Sequence, residues 1–184
     1  YKRQLEKWLD EIDHLGAVAV DTETTGLNSK RAQLVGVSLA IRPGRACYIP
    51  LAHKTTAAIG IGDLLDQSEK IPPPSQIPLD TALALLKPIL EDPGVLKIGQ
   101  NIKYDKQVLI RYGITVHPVD DTMLLSYTLD GGLHGHGIDE LARETLGIET
   151  IKFKDIVGSV SLDTALRPEE TSLPLNFIDP LSIG

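Results

Sequence analysis

The sequence predicts an α/β fold in which helices flank a mixed sheet. Three short apolar runs, each bounded by turn residues, follow one another between residues 17 and 51 and are typical of strands. Longer runs with apolar residues at helical spacing lie before and after them. The later part of the chain alternates helical and extended segments, which is typical of parallel strands. The three early strands have short links and predict an antiparallel meander at one side of this sheet.

The first helix is predicted over residues 2–14, because its apolar residues form one stripe. Gly16 then leads into a strand that begins with the wholly apolar residues 17–20, as expected for a strand covered on both faces. The stripe consists of Leu5, Trp8, Leu9 and Ile12.

Two further strands are predicted at residues 34–41 and 46–51, joined by a turn at 42–45 that contains Pro43 and Gly44. The proline-rich residues 71–78 predict a loop. The remaining helices are predicted at residues 79–90, 103–112, 122–129 and 139–146, with extended segments at 95–98 and 116–119.

Two acids, Asp21 and Glu23, follow the apolar part of the first strand. Alternation along a strand places both on one face. Carboxylates held so close resist ionising together unless a cation lies between them, and a hard divalent metal is the natural partner. A solvated strand end would also explain an isolated Asp-x-Glu pair. Here, however, the turn residues 24–26 follow directly, so the pair is predicted to lie where a buried strand leaves the sheet.

A second polar segment follows the predicted strand at 95–98. Asn101 can cap the helix that follows, and Gln100 or Asn101 could reach a phosphate or sugar, since such sites form at sheet ends. Asp105 falls on the first turn of the helix, where it could bind a ligand or complement the helix dipole. The strand ends are predicted to bring Asp21, Glu23 and Asp105 together.

The composition limits the partners of the chain. Its 184 residues suit one domain with a sizeable core, and its net charge of −7 argues against a broad electrostatic grip on duplex DNA. A basic footprint must therefore be local. Its candidate residues are Lys97, Lys103, Lys106 and Arg111.

A single cysteine, Cys47, excludes an intramolecular disulfide and a zinc finger. The chain has no apolar run of about 18 residues, so we expect a soluble, cytoplasmic protein with no membrane partner. A start at Tyr1 instead of Met suggests an excised domain.

Three segments together carry a family resemblance: residues 20–27, 99–105 and 121–127. In order and spacing they resemble the proofreading 3′–5′ exonuclease domain of bacterial DNA polymerase I. That family is built on four acidic residues and has a ribonuclease H-like fold. The resemblance covers residues 1–167 and leaves 168–184 as a divergent C-terminal tail.

The resemblance implies that Asp21, Glu23 and Asp105 are three of the four metal-binding and catalytic carboxylates. It also implies a site for two Mg²⁺ or Mn²⁺ ions, although Zn²⁺ can enter such sites. The expected partners are the 3′ end of single-stranded DNA and an adjoining polymerase domain. The residues that match nucleotide-binding positions are Thr24, Leu27, Gln100, Asn101 and Tyr104.

The family's last motif, Tyr-x-x-x-Asp, which supplies the fourth acid and the tyrosine that positions the attacking water, is absent from the sequence. Pro168 and Pro174 oppose a long helix where that motif would lie. A related subfamily uses His-x-x-x-x-Asp, and His134 and Asp139 have this spacing. We instead predict that Asp139 caps the helix at 139–146 and that His134 and His136 are loop histidines.

Several further polar residues are predicted to lie outside the site. Asp121 is expected to cap the helix that begins at Thr122, and His53 and Asp63 are expected at the surface. Three acids of the tail could replace the fourth ligand or be solvated charges: Glu169, Glu170 and Asp179.

The leading hypothesis is a divalent-metal 3′–5′ exonuclease acting on DNA ends, with activity lowered by the missing motif. The first alternative is a non-catalytic, exonuclease-like module that binds nucleic acid or supports a neighbouring domain. The second is an exoribonuclease resembling ribonuclease D. The motifs do not separate DNA from RNA, because the contact to a 2′-hydroxyl cannot be read from them.

Overall fold

A computed structural model describes residues 1–54, 56–57, 70–71 and 74–151. A mixed sheet of five strands lies at its centre. The strands are β1 (Ala17–Thr24), β2 (Leu34–Arg42), β3 (Arg45–Pro50), β6 (Leu96–Gly99) and β7 (Val119–Asp121). Their order across the sheet is β3-β2-β1-β6-β7. Strands β1, β2 and β3 form the predicted antiparallel meander, and β6 and β7 add to it in parallel.

Two very short strands, β4 (Thr56–Ala57) and β5 (Lys70–Ile71), pair with each other in a separate antiparallel sheet. Neither was predicted, and Ile71 had been assigned to the proline-rich loop. Two-residue strands carry too little pattern for a period to be recognised.

The helices are α1 (Lys2–Leu15), α2 (Leu79–Glu91), α3 (Lys103–Leu109), α4 (Thr122–Asp130) and α5 (Ile138–Leu141). The helix predicted at 103–112 tightens after α3 into a 3₁₀ turn at Ile110–Tyr112, and the one predicted at 139–146 continues after α5 as a π turn at Ala142–Leu146. None of the helices described is both long and apolar enough to cross a membrane.

The core lies on one face of the sheet. The predicted stripe of α1 is buried there with β1 residues Val18 and Val20 and with α2 residues Leu86 and Leu90. The expectation that β1 is covered on both faces is wrong for the described structure, since Ala19 and Asp21 are exposed. Because side chains alternate along a strand, one face of β1 packs against the core and the other carries the exposed Ala19 and Asp21.

Several predictions concern residues outside the described ranges. They include the divergent tail at 168–184, the surface position of Asp63, and the tail acids Glu169, Glu170 and Asp179. The extended segment predicted at 116–119 lies instead at Val119–Asp121, where the chain pairs in parallel with β6.

Candidate functional site

The candidate site forms where β1 runs past the end of its parallel neighbour. The last residue pair between β1 and β6 is Ala19 with Ile98, so residues 21–24 extend beyond that ladder. Asp105, on the first turn of α3, lies against this free edge. Its Oδ1 accepts hydrogen bonds from the Thr22 backbone N–H at 2.9 Å and from the Thr22 hydroxyl at 2.5 Å. The carboxylate thus satisfies a strand N–H that has no strand partner.

Asp21 and Glu23 project from the face of β1 opposite to the core, where Asp21 pairs with Ser38 and Glu23 with Gly36 of β2. Although Asp21 reaches solvent, partial desolvation by the surrounding protein, and then the negative charges of Asp105 and Glu23, raises the pKa of its carboxyl group to about 6. Burial and Asp105 likewise raise the pKa of Glu23. The three predicted acids are therefore near enough to oppose one another's ionisation.

The pKa of Asp105 is also raised, chiefly by burial, although the hydrogen bonds from Thr22 act in the opposite direction. Asp105 is only 3% exposed, which fixes its carboxylate against the strand. A buried acid with a raised pKa next to two others is an arrangement that a cation would stabilise.

The donor set fits a hard divalent cation, because all three side chains offer carboxylate oxygens. In the described ranges, however, no group of three or more His, Cys, Asp and Glu side chains is arranged to hold a metal ion. Asp105 explains part of this, since its Oδ1 faces Thr22. Asp21 and Glu23 remain the two acids on the open face.

Asp121 organises the loop between β6 and α3. It caps α4 as predicted, with Oδ1 accepting from the Met123 N–H at 3.0 Å. The same carboxylate accepts from the N–H groups of Asn101 at 2.9 Å and Ile102 at 3.1 Å. One buried side chain therefore fixes both the start of α4 and the turn that leads to Asp105.

The prediction that Asn101 caps α3 is wrong. The N-cap is Ile102, and Asn101 has a left-handed φ of 55°. Asn101 contributes its backbone instead, since its carbonyl accepts from the Tyr104 N–H at 3.0 Å. Its side chain is exposed, so it is open to a ligand.

Gln100, also expected to reach a ligand, is held by the protein. Its Nε2 donates to the His136 carbonyl at 2.7 Å, and its Oε1 accepts from the Thr122 hydroxyl. The amide therefore ties the end of β6 to α4 and to the loop after it. A direct contact between Gln100 and nucleic acid remains a prediction.

Thr24 and Tyr104 meet at the opposite side of the site. Their hydroxyls are hydrogen-bonded at 2.5 Å, and the Tyr104 hydroxyl also donates to the Gly26 carbonyl. These bonds hold the turn after β1 against α3. Leu27, on the same turn, is 98% exposed and presents an apolar side chain to solvent beside the acids.

Only part of the predicted basic footprint is at the surface. Lys97 is fully buried, and its Nζ donates to the carbonyls of Ile89, Asp92 and Val95 at 3.3, 2.8 and 2.6 Å. Its assignment to a nucleic-acid surface is therefore wrong: it closes the end of α2, and burial lowers its pKa.

The guanidinium of Arg111 donates to the carbonyls of Ser29 and Ala32, so it is held in place by the turn after β1. Lys103 is exposed and Lys106 is partly exposed. These two lysines are the part of the predicted footprint that is both at the surface and on α3.

The predictions for Asp139 and for the two loop histidines have different outcomes. The N-cap of α5 is Gly137, so the predicted capping role of Asp139 is wrong; its Oδ1 accepts from the Thr150 hydroxyl at 2.5 Å. His134 and His136 lie in the loop before α5, as predicted. His136 is buried, with Nδ1 2.7 Å from the Ser126 Oγ.

Sequence reasoning missed Tyr48 and His53. The surface assignment of His53 is wrong: it is half-buried, and its Nε2 lies 2.6 Å from the Tyr48 hydroxyl. Gly36, in the middle of β2, was the available signal, because a glycine inside a strand often marks a close approach.

Comparison with known proteins adds to this geometry. The sequence profile of a family described as 3′–5′ exonuclease matches residues 1–171. The chain is 46% identical over 164 residues to DNA polymerase I of Rhizobium leguminosarum, covering 84% of the chain and 16% of that protein. It is 42% identical over 156 residues to DNA polymerase I of Pseudomonas aeruginosa, covering 83% of the chain and 15% of that protein. The chain thus spans about one sixth of the length of these relatives.

Solved structures show the same fold. Brucella melitensis NrnC with bound Mg²⁺ matches with a TM-score of 0.56 and 24% identity, over 84% of this chain and 65% of that one. Escherichia coli RNase D, described as an exoribonuclease, matches with a TM-score of 0.55 and 19% identity, over 86% and 36%. These likenesses confirm the predicted ribonuclease H-like α/β fold.

Proposed function

The chain belongs to the 3′–5′ exonuclease domain family of DNA polymerase I, and from this membership we propose that it hydrolyses phosphodiester bonds at DNA 3′ ends with divalent metal ions. The observation that carries the proposal is the meeting of three acids at the end of β1, where Asp105 is bonded to Thr22 between Asp21 and Glu23. Desolvation and the charge of Asp105 raise the pKa values of both Asp21 and Glu23. These are the three acids that match the family motifs, and a site that opposes their ionisation favours a bound cation.

In the proposed site, Asp21, Glu23 and Asp105 would hold Mg²⁺ or Mn²⁺. The chemistry that such ions supply when bound is activation of a water and stabilisation of the leaving 3′ oxygen. Thr22 orients Asp105 through two hydrogen bonds, and Asp121 fixes the turn before it. The chain itself thus sets the direction of Asp105 before substrate arrives.

The 3′ end is proposed to bind beside the turn that follows β1. Leu27 would pack its exposed side chain against an unstacked base, with Tyr104 and Thr24 supporting the turn. Asn101 would offer its exposed amide to the backbone of the strand. Gln100 would act indirectly, by holding the loop in place.

The partners follow from the family. We propose the 3′ end of single-stranded DNA as substrate and an adjoining polymerase domain as neighbour, because the chain covers 16% of a relative named DNA polymerase I. Lys103, on α3, would supply local positive charge in an otherwise acidic chain.

A second candidate is a non-catalytic module that binds a nucleic-acid end. The observation that favours it is the absence of any Tyr-x-x-x-Asp segment in the sequence. A chain with three acids would keep a cation more weakly than one with four, because affinity for such ions depends on the number of charged ligands.

The test is degradation of a 5′-labelled single-stranded DNA oligonucleotide in Mg²⁺ or Mn²⁺, with Asp21→Ala as the inactive variant. Asp13→Ala, which removes an exposed acid from α1, is the matched control. A ladder shortening from the 3′ end in the wild type and the control, but not in Asp21→Ala, would support the exonuclease. Binding without turnover by folded protein would support the second candidate. An RNA oligonucleotide of the same sequence separates the two substrate classes.

A further inference from the structure

Tyr48 and His53 form a hydrogen-bonded pair on the same side of the sheet as Asp21 and Glu23. The Tyr48 hydroxyl and the His53 Nε2 are 2.6 Å apart, and the two rings meet edge to face with centroids 5.7 Å apart. The backbone of His53 is held by the Gln76 side chain, whose Oε1 accepts from the His53 backbone N–H at 2.7 Å and whose Nε2 donates to the His53 carbonyl at 3.0 Å. The backbone position of His53 is therefore fixed by Gln76, and the hydrogen bond to Tyr48 orients its imidazole.

Strand register determines which side chains share this face. Asp21 is opposite Ser38, and Ser38 is opposite Tyr48. Glu23, two residues further along β1, is opposite Gly36. Residues in register lie on one face of a sheet, so the tyrosine ring crosses β2 on the face that carries both acids.

Gly36 shows where the tyrosine hydroxyl lies. A Cβ atom built on Gly36 would be 2.0 Å from the Tyr48 hydroxyl oxygen. The hydroxyl therefore occupies the place of the side chain directly opposite Glu23, where cross-strand Cβ atoms are about 4.5–5.5 Å apart. The Tyr48 hydroxyl therefore lies beside the Cβ position of Glu23, the residue whose flexible side chain carries the carboxylate.

The effect of Glu23 on the pKa of Tyr48 agrees with a position of the hydroxyl close to Glu23. Burial raises the pKa of Tyr48, and the charge of Glu23 raises it further. Burial also lowers the pKa of His53. The surroundings of the pair thus oppose ionisation of the tyrosine and protonation of the imidazole.

We propose that the Tyr48 and His53 pair is a positioning device that holds the Glu23 carboxylate in the orientation needed to bind a divalent metal. In this arrangement the His53 Nε2–H donates to the tyrosine oxygen, which leaves the tyrosine O–H for Glu23. The inference rests on the proposed function, because it assigns Glu23 to a metal site. Hydrogen bonds to ligating carboxylates commonly orient them and tune their affinity for metal.

The first test is Tyr48→Phe, which removes the hydroxyl and keeps the ring, with Mn²⁺ affinity measured by titration calorimetry. Tyr112→Phe is the matched control, because its hydroxyl also accepts one hydrogen bond, from the Leu34 N–H on the core side. We expect Mn²⁺ binding to weaken about tenfold or more in Tyr48→Phe and to stay unchanged in Tyr112→Phe. Equal Mn²⁺ affinity in wild type and Tyr48→Phe, with both folded, would overturn the inference.

The second test is a double-mutant cycle with His53→Ala. If the two side chains act as one unit, the double variant should bind Mn²⁺ about as weakly as Tyr48→Phe alone. Full additivity would contradict their action as a pair.

The outcomes separate the inference from the proposed function. A wild type that binds Mn²⁺ but leaves DNA intact would defeat the proposed exonuclease, while the Tyr48→Phe affinity would still decide the inference. If the wild type cleaves DNA and the Mn²⁺ affinity of Tyr48→Phe equals that of the wild type, only the inference fails and the proposed function stands. A wild type without Mn²⁺ binding would defeat both.

Discussion

The Asp21 carboxylate is partly desolvated and lies among like charges, and this gives a prediction at the scale of the residue. Its pKa is about 6 in the folded chain, against an ordinary value of 3.8. Between those pH values the folded chain binds more protons than the unfolded chain, so stability falls as pH rises through that window. Above about pH 6 the penalty is fully present.

We therefore expect Asp21→Asn to stabilise the metal-free protein at about pH 7.5 and to have little effect at about pH 4. After allowance for screening by solvent, the gain should be about 1 kcal/mol, or roughly 2–4 °C in melting temperature. Thermal melts at both pH values measure this, with Asp13→Asn as the control. An equal shift at both pH values would show that Asp21 is not destabilised by its charge.

Thr22 gives a second prediction at this scale. Its hydroxyl is 2.5 Å from the Asp105 Oδ1, and both residues are buried. Thr22→Val keeps the shape of the side chain and leaves a buried acid with one donor fewer, which should cost about 1–3 kcal/mol. Urea unfolding measures the loss.

Thr128→Val is the matched control, because the one bond of the Thr128 hydroxyl to a described residue is to the Leu124 carbonyl, on an exposed helix surface. Its free energy of unfolding should change by less than about 0.5 kcal/mol. Equal losses in the two variants would remove the special role given to Thr22.

At the scale of the element, Asp121 joins β7, α4 and the loop before α3 through three backbone N–H groups. Asp121→Ala should cost about 2–4 kcal/mol, more than a helix cap alone, because it also leaves two N–H groups without their acceptor. The neighbouring Asp120→Ala, at an exposed position, should be nearly neutral. A loss in Asp121→Ala no greater than that of Asp120→Ala in urea unfolding would disprove this role.

Substitutions of Lys97 and Lys103 are predicted to have opposite effects on stability and on nucleic-acid binding. Lys97→Met removes the ammonium that closes the end of α2 and should cost about 2–4 kcal/mol, with no effect on the affinity of folded protein for DNA. Lys103→Met, at an exposed position, should weaken oligonucleotide binding at low salt and leave stability unchanged. Urea unfolding and fluorescence anisotropy test the two variants together, and the reverse pattern would return Lys97 to the nucleic-acid surface.

These same elements show which features of the fold could be predicted from the sequence and which could not. The stripe of α1 and the meander of β1 to β3 were predictable, because a periodic pattern and short links are local features. The burial of Lys97 was not, since its partners are carbonyls at the end of another helix. The pairing of Tyr48 with His53 depends on strand register, which the local pattern alone did not determine here.

At the scale of the whole molecule, the sheet divides two tasks between its faces. Val18 and Val20 build the core on one face of β1, while Asp21 and Glu23 occupy the other. The meeting of these acids with Asp105 was predictable from the sequence. Asp21 and Glu23 follow the apolar part of β1, and Asp105 follows β6, the strand that pairs with β1. Their support by Thr22 and Asp121 could not be read from spacing, because it depends on how far β1 runs past β6.

The most direct measurement of the proposed metal site is Mn²⁺ binding to the wild type and to the Asp21→Asn, Glu23→Gln double variant, by titration calorimetry near neutral pH. The variant keeps the size of both side chains and removes their charges. We predict saturable Mn²⁺ binding by the wild type and its loss in the folded variant. Equal Mn²⁺ affinity in the two proteins would contradict the assignment of these acids to a metal site.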